Sequence, residues 1–212
     1  IMATPLDVAF LATMYFKCGV GVNPETLHAI VTTESSGYPY VVANVSDGTS
    51  HKFDTESEAI YFVDALERQG KTYSSGLMQI YSKNYKAYGV DNNSIFNPCT
   101  NINVGSKILK ECFDRSKTNI EGKNLSHLER AFSCYYSGNF TRGFRADDNY
   151  VSRVIANYSS LYEVPSYASY SDKKGGKVLS VKTDEVENNL AEAVEKPSEN
   201  SWDIFNDFTK KE

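Results

Sequence analysis

The sequence has no run of about 18 or more apolar residues, so nothing in it reads as a membrane-spanning helix. It lacks an excess of positive charge. Lys and Arg number 22 against 27 Asp and Glu, the net charge is −5, and no basic stripe of the size a nucleic-acid partner needs is present. Histidine is scarce. The three residues, His28, His51 and His127, are scattered, and none of the four cysteines forms a C-x-x-C pair, so a zinc site is not expected. Tryptophan is limited to Trp202, whereas tyrosine occurs fifteen times. Tyrosine-rich clefts suit sugars and peptides, though such enrichment also fits exposed packing.

The 212 residues suffice for one domain of about 150 residues plus an extension. Cys18, Cys99, Cys112 and Cys134 are an even set, which suits two disulfides in an oxidising compartment; free buried thiols are the alternative. A start at Ile1 without an initiator Met suits a mature or a trimmed chain, with a signal peptide removed or outside this sequence.

Helix punctuation is plentiful. Thr4-Pro5 opens a first helix with Leu6, Ala9, Phe10, Thr13 and Met14 on one face, closed by Cys18-Gly19 and Gly21. Asn23 caps a second, with Pro24 at its first turn and Gly37 and Pro39 beyond its end. Tyr40 to Val45 and His51 to Phe53 flank an Asp47-Gly48 turn and read as a hairpin. Thr55 and Glu58 form a capping box before Ala59, Phe62, Val63 and Leu66. Lys71 to Ile80 reads as an extended connection, and Ser82 caps a short helix ending at Gly89. Asn97-Pro98 starts a long helix, Ser126 to Glu129 is a second capping box whose helix ends at Gly138, and Asp147-Asp148 opens a last helix with Tyr150, Val151, Val154, Ile155 and Tyr158. The class is α+β, predominantly helical, with one small β-hairpin region.

Composition changes after Pro165. From Ser171 to Ser201 the chain is polar and free of aromatics, which reads as a solvated linker. Trp202, Ile204, Phe205 and Phe208 then follow closely. They suit a terminal helix folded back on its own domain, or a short anchor for a partner protein. The expected division is a domain over residues 1–165 and a polar linker and tail over residues 166–212.

One acid stands out. Leu27, Ile30, Val31 and Glu34 occupy i, i+3, i+4 and i+7, so Glu34 lies on the apolar stripe at the last turn of its helix. A carboxyl there loses hydration and its pKa rises, as a general acid requires. The plain alternative is a surface Glu at a frayed helix end.

The order of blocks sharpens this reading. Glu34-Ser35, the hairpin, Ser75-Gly76-Leu77-Met78-Gln79-Ile80, Asn97 to Ile102, and Ala131 to Phe140 follow one another. In that order they resemble the catalytic domain of lytic transglycosylases with a lysozyme-like (SLT) fold. The closer likeness is to the VirB-type branch that accompanies type IV secretion and conjugation systems, to which the four cysteines and the Asn139 to Phe144 run add weight. The likeness covers roughly residues 5 to 158, and a fainter one touches Trp202-Asp203-Ile204-Phe205. It implies cleavage of the β-1,4 bond between N-acetylmuramic acid and N-acetylglucosamine in peptidoglycan, with closure of a 1,6-anhydro ring. Glu34 would be acid and then base. Ser35, Ser75, Gly76, Met78, Gln79 and Tyr135 would support it or line the cleft. The implied place is the periplasm, the implied partners are peptidoglycan glycan strands and a secretion-system component met by the tail, and no cofactor is implied. Tyr136 departs from the pattern, since the family usually has Asn after that Tyr.

A two-carboxylate glycosidase needs a second acid, and one acid/base suffices when the substrate's own hydroxyl replaces water. The rivals are a hydrolytic muramidase of the same fold, with Asp47 or Asp54 as the second carboxylate, and a non-enzymatic glycan-binding assembly factor. If residues 98 to 115 form one helix, Cys99 and Cys112 stand roughly 20 Å apart, beyond disulfide reach. Cys18 then pairs with Cys99 or Cys112, and Cys134 with the other.

Overall fold

A computed structural model describes residues 2–158. The linker from 166 and the aromatic anchor at Trp202 to Phe208 lie outside the described residues. The elements run α1 (Val8–Cys18), α2 (Pro24–Ser35), β1 (Val41–Asn44), β2 (Thr49–Lys52), α3 (Glu56–Arg68), β3 (Tyr73–Ser75), β4 (Ile80–Tyr81), α4 (Tyr85–Tyr88), α5 (Pro98–Ser116), α6 (His127–Ser137) and α7 (Tyr150–Ala156). Helices dominate and one antiparallel sheet, in strand order β2-β1-β3-β4, completes an α+β domain. Among the described residues no helix is long and apolar enough to cross a membrane.

Asn23, Thr55, Asn97 and Ser126 cap their helices as read, whereas Ser82 does not: its hydroxyl accepts from Tyr73 N–H, and α4 begins after Asn84 without a side-chain cap. Asn23 Oδ1 accepts from Glu25 N–H with Pro24 at the first turn, Asn97 Oδ1 accepts from Thr100 N–H, and both capping boxes close reciprocally. The first helix differs from expectation. It starts after Asp7, which caps it, and it buries Leu11, Tyr15 and Cys18, while Phe10 is exposed. Two long-range bonds decide its rotation: Cys18 is joined to Cys99, and the Tyr15 hydroxyl meets His28 Nδ1 at 2.9 Å. The last helix also starts later than expected. Asn149 caps it with a left-handed backbone, while Asp147 and Asp148 pair with Arg142 and Arg153.

The hairpin loop holds four residues between Asn44 and Thr49, which face each other, and Gly48 alone in it takes a positive φ, at 69°. The connection read as extended supplies β3 and β4, so the hairpin region grows to four strands. The core joins Leu27, Ile30 and Val31 of α2 to Ala59, Val63, Ile102, Leu109, Phe132 and Val154. The disulfides are Cys18–Cys99, pinning α1 to the start of α5, and Cys112–Cys134, pinning α5 to α6. This is one of the two pairings that the helix spacing left open.

Candidate active site

Leu27, Ile30 and Val31 are fully buried, so α2 turns its apolar stripe to the core and carries Glu34 with it to the last turn. Part of the Glu34 side chain borders a cleft of about 750 Å³. Its carboxyl is surrounded by protein, and that desolvation pushes its pKa up to about 7, against the opposing pull of a hydrogen bond from Tyr150 and the charge of Arg153. The Tyr150 hydroxyl donates to Glu34 Oε1 at 2.6 Å. Asn157 Nδ2 donates to Thr33 Oγ1 and the Tyr158 hydroxyl to Thr26 Oγ1, so three side-chain bonds hold α7 and the two residues after it to α2.

Ala43, Ser74, Gln79 and Tyr81 line the sheet side of the cleft, and Tyr88, Ile108, Glu111 and Arg115 line the side of α4 and α5. Tyr135, Tyr136 and Arg142 border it from α6 and the segment beyond. Two carboxylates, Glu34 and Glu111, line it among the described residues. Glu111 is exposed and accepts from the Tyr88 hydroxyl at 2.6 Å. Asp47 and Asp54 do not line the cleft, and Asp47 is held by Lys71 and Asn44.

The Ser75 to Gln79 block is a turn whose backbone groups are bound from several directions. Asn101 Oδ1 accepts from Met78 N–H at 2.8 Å, and Asn101 Nδ2 donates to the Ser75 and Ile95 carbonyls at 2.9 Å each. Ser35 Oγ donates to the Leu77 carbonyl at 2.8 Å, joining the turn to the residue after Glu34. The Tyr135 hydroxyl donates to the Met78 carbonyl at 2.7 Å. Gln79 Nε2 donates to the Val41 and Gly76 carbonyls. With both amide hydrogens committed, the Gln79 carbonyl oxygen remains as an acceptor at the cleft. Gly76 sits at φ +81°, and a Cβ there would run into Asn101 Nδ2.

These positions separate the expected site residues by task. Glu34, Gln79 and Tyr135 border the cleft; Ser35 and Gly76 build the turn behind it. Ser75 and Met78 are not at the surface that a ligand meets. Strand alternation turns Ser74 to the cleft and buries Ser75 fully, beside the Tyr85 hydroxyl. Met78 is also fully buried, seated on Gly105 of α5, where any Cβ would collide with its sulfur. The direct phenolic partner of Glu34 is Tyr150, which the sequence reading placed only on an apolar helix face. An aromatic hydroxyl inside an apolar stripe needs a partner, and that was its one signal.

A family model described as the transglycosylase SLT domain matches residues 15–152. Type IV secretion system protein virB1 of Brucella suis is 37% identical over 144 residues, which cover 66% of this chain and 60% of that protein. Protein virB1 of Agrobacterium fabrum is 33% identical over 153 residues, covering 72% and 60%. Protein virB1 of Rhizobium radiobacter is 26% identical over 210 residues, covering 99% and 78%. The matched part therefore spans about 60% of the length of the first two relatives. No solved structure matches.

Proposed function

The chain belongs to the transglycosylase SLT-domain family, and from that membership we propose that it cuts the β-1,4 bond between N-acetylmuramic acid and N-acetylglucosamine in peptidoglycan without water. Glu34 gives its proton to the glycosidic oxygen as the bond from muramic C1 breaks. The resulting carboxylate takes the proton of the C6 hydroxyl, and O6 closes on C1 as the 1,6-anhydro ring. Gln79, with its free carbonyl oxygen, suits a sugar N–H or hydroxyl donor beside that centre.

The observation that carries this reading is the Glu34 carboxyl itself: enclosed, raised to about 7, and bound by a neutral phenol at the edge of a cleft. Such a group still carries its proton on about half of the molecules at pH 7 and becomes a competent base after one transfer. Asp148, whose charge reaches it, is paired with Arg153 at 2.7 Å and does not line the cleft. Hydrolysis is the second reading, favoured only by Glu111 on the cleft wall. Mass spectrometry of muropeptides released from purified sacculi decides. We expect ends one water lighter than reducing ends; reducing ends would overturn the proposal in favour of hydrolysis.

The disulfides and the Brucella relative's name support a periplasmic setting, where cleavage opens the wall for a secretion or conjugation apparatus. Residues 166–212, with Trp202, Ile204, Phe205 and Phe208, recruit a component of that apparatus. Deleting residues 171–212 is expected to spare cleavage of purified wall and weaken recruitment. Cleavage lost on purified wall would count against this division of labour.

A further inference from the structure

Tyr136 closes a ring of contacts around the partner of Glu34. Its ring stacks on that of Tyr150 with centroids 4.6 Å apart and planes 11° from parallel. Tyr150 donates to Glu34 Oε1. The Arg153 guanidinium lies 5.5 Å from the Tyr150 centroid and pairs with Asp148 at 2.7 Å. The Asp148 carboxylate in turn sits beside the Tyr136 hydroxyl and raises its pKa. Of these four residues only Tyr136 lines the cleft, and it is 38% exposed. Tyr150 is buried, and Arg153 and Asp148 stand outside the cleft lining.

Resting on the transglycosylase reading, we propose that Tyr136 is a positioning residue: stacked on Tyr150 and tied through Asp148 and Arg153, it keeps the Tyr150 hydroxyl on Glu34. An Asn could not do this, because it offers no ring to stack and is too short to span from α6 to α7. A swing of the Tyr150 side chain about its Cα–Cβ bond would carry its hydroxyl off Oε1, and a neighbour stacked on the ring face opposes that displacement. The groups that act on Glu34 are Tyr150 and Arg153 from α7, Asp148 from the turn before it, and Tyr135 from α6. Tyr150 favours the charged carboxylate by donating to it, so losing that bond moves the alkaline limb of kcat/KM to higher pH.

The test uses the full chain on purified sacculi with Tyr136→Asn, Tyr150→Phe and the pair together. Tyr136→Asn is expected to lower kcat roughly 3- to 10-fold, the scale of one aromatic stack, with KM nearly unchanged. Its alkaline limb moves in the same direction as that of Tyr150→Phe, and the double variant moves no further than Tyr150→Phe alone. Tyr136→Phe, which keeps the ring, restores most of the kcat. Tyr136→Leu, bulky but without a ring, repeats the test if the Asn variant proves unstable. A raised KM with an unmoved limb would make Tyr136 a plain contact for the sugar and overturn the proposal, as would additive shifts in the double variant. Full cleavage by Glu34→Gln would instead sink the transglycosylase reading, whatever Tyr136 does.

Discussion

A carboxyl enclosed by protein suits acid catalysis and weakens the fold when it ionises, and Glu34 should show both effects. A rise from 4.5 to about 7 corresponds to about 3 kcal/mol. The folded state holds its proton to higher pH than the unfolded chain, so stability falls as pH climbs from about 4.5 to about 7, and the full cost is present above that. Gln at this position cannot ionise, yet offers Tyr150 the same acceptor. Glu34→Gln is therefore expected to abolish wall cleavage and, above about pH 8, to raise the unfolding free energy by up to about 3 kcal/mol. That gain should vanish near pH 4. Urea unfolding at both pH values checks it; equal stability of the two proteins at high pH would mean a solvated carboxyl and remove the ground for its acid role. The parent enzyme's kcat/KM should fall above about pH 7 for the same reason. The acid was legible in sequence because helical period alone placed it on the stripe of Leu27, Ile30 and Val31. Its phenolic partner was not, because Tyr150 lies 116 residues away and no local pattern records which buried hydroxyl meets which carboxylate.

At the scale of elements, the sheet-side wall of the cleft depends on a turn that holds its shape through neighbours rather than its own propensity. Gln79 takes a left-handed backbone at φ 49°, unusual for a residue with a side chain, and Gly76 takes φ +81°. Asn101 compensates by serving three buried backbone groups at once. Asn101→Ala leaves the Met78 N–H and the Ser75 and Ile95 carbonyls without that partner. At about 1–3 kcal/mol for each orphaned group, the loss should be about 3 kcal/mol or more. Gly76→Ala strikes the same turn by forcing a Cβ into Asn101, so the two losses should not add. Denaturant midpoints together with turnover on sacculi measure both. An Asn101→Ala protein within about 1 kcal/mol of the parent would show that the turn stands without its brace. The block was visible in sequence as a whole, and the roles of its members were not. Ser75 and Ser74 could be told apart only by the register of β3 with β1, and Met78 goes inward because Gly105, on a different element, leaves room for its sulfur. Asn101 stands near the start of α5, and its acceptors lie up to 26 residues earlier, beyond the reach of any local pattern.

The described residues are joined through α5, which carries one half of each disulfide, and the two bridges should differ in what they protect. Cys18–Cys99 spans 81 residues and holds α1, away from the cleft. Cys112–Cys134 spans 22 residues, and both its cysteines line the cleft, the second immediately before Tyr135. Loop-closure entropy assigns the first about 4.5 kcal/mol and the second about 3.4 kcal/mol. If stability alone mattered, removing the longer bridge would do more harm in every assay. The geometry predicts otherwise. Cys18→Ala/Cys99→Ala should lose more in urea unfolding while keeping its turnover per folded molecule. Cys112→Ala/Cys134→Ala should lose less stability and more turnover, because freeing α6 from α5 loosens Tyr135, which holds the Met78 carbonyl, and Tyr136, which stacks on Tyr150. Unfolding and turnover measured on the same samples, well below either melting temperature, separate the two effects. If turnover followed stability in both variants, the cleft would not depend on the α5–α6 join, and the place of Tyr135 and Tyr136 on that helix would carry no catalytic meaning.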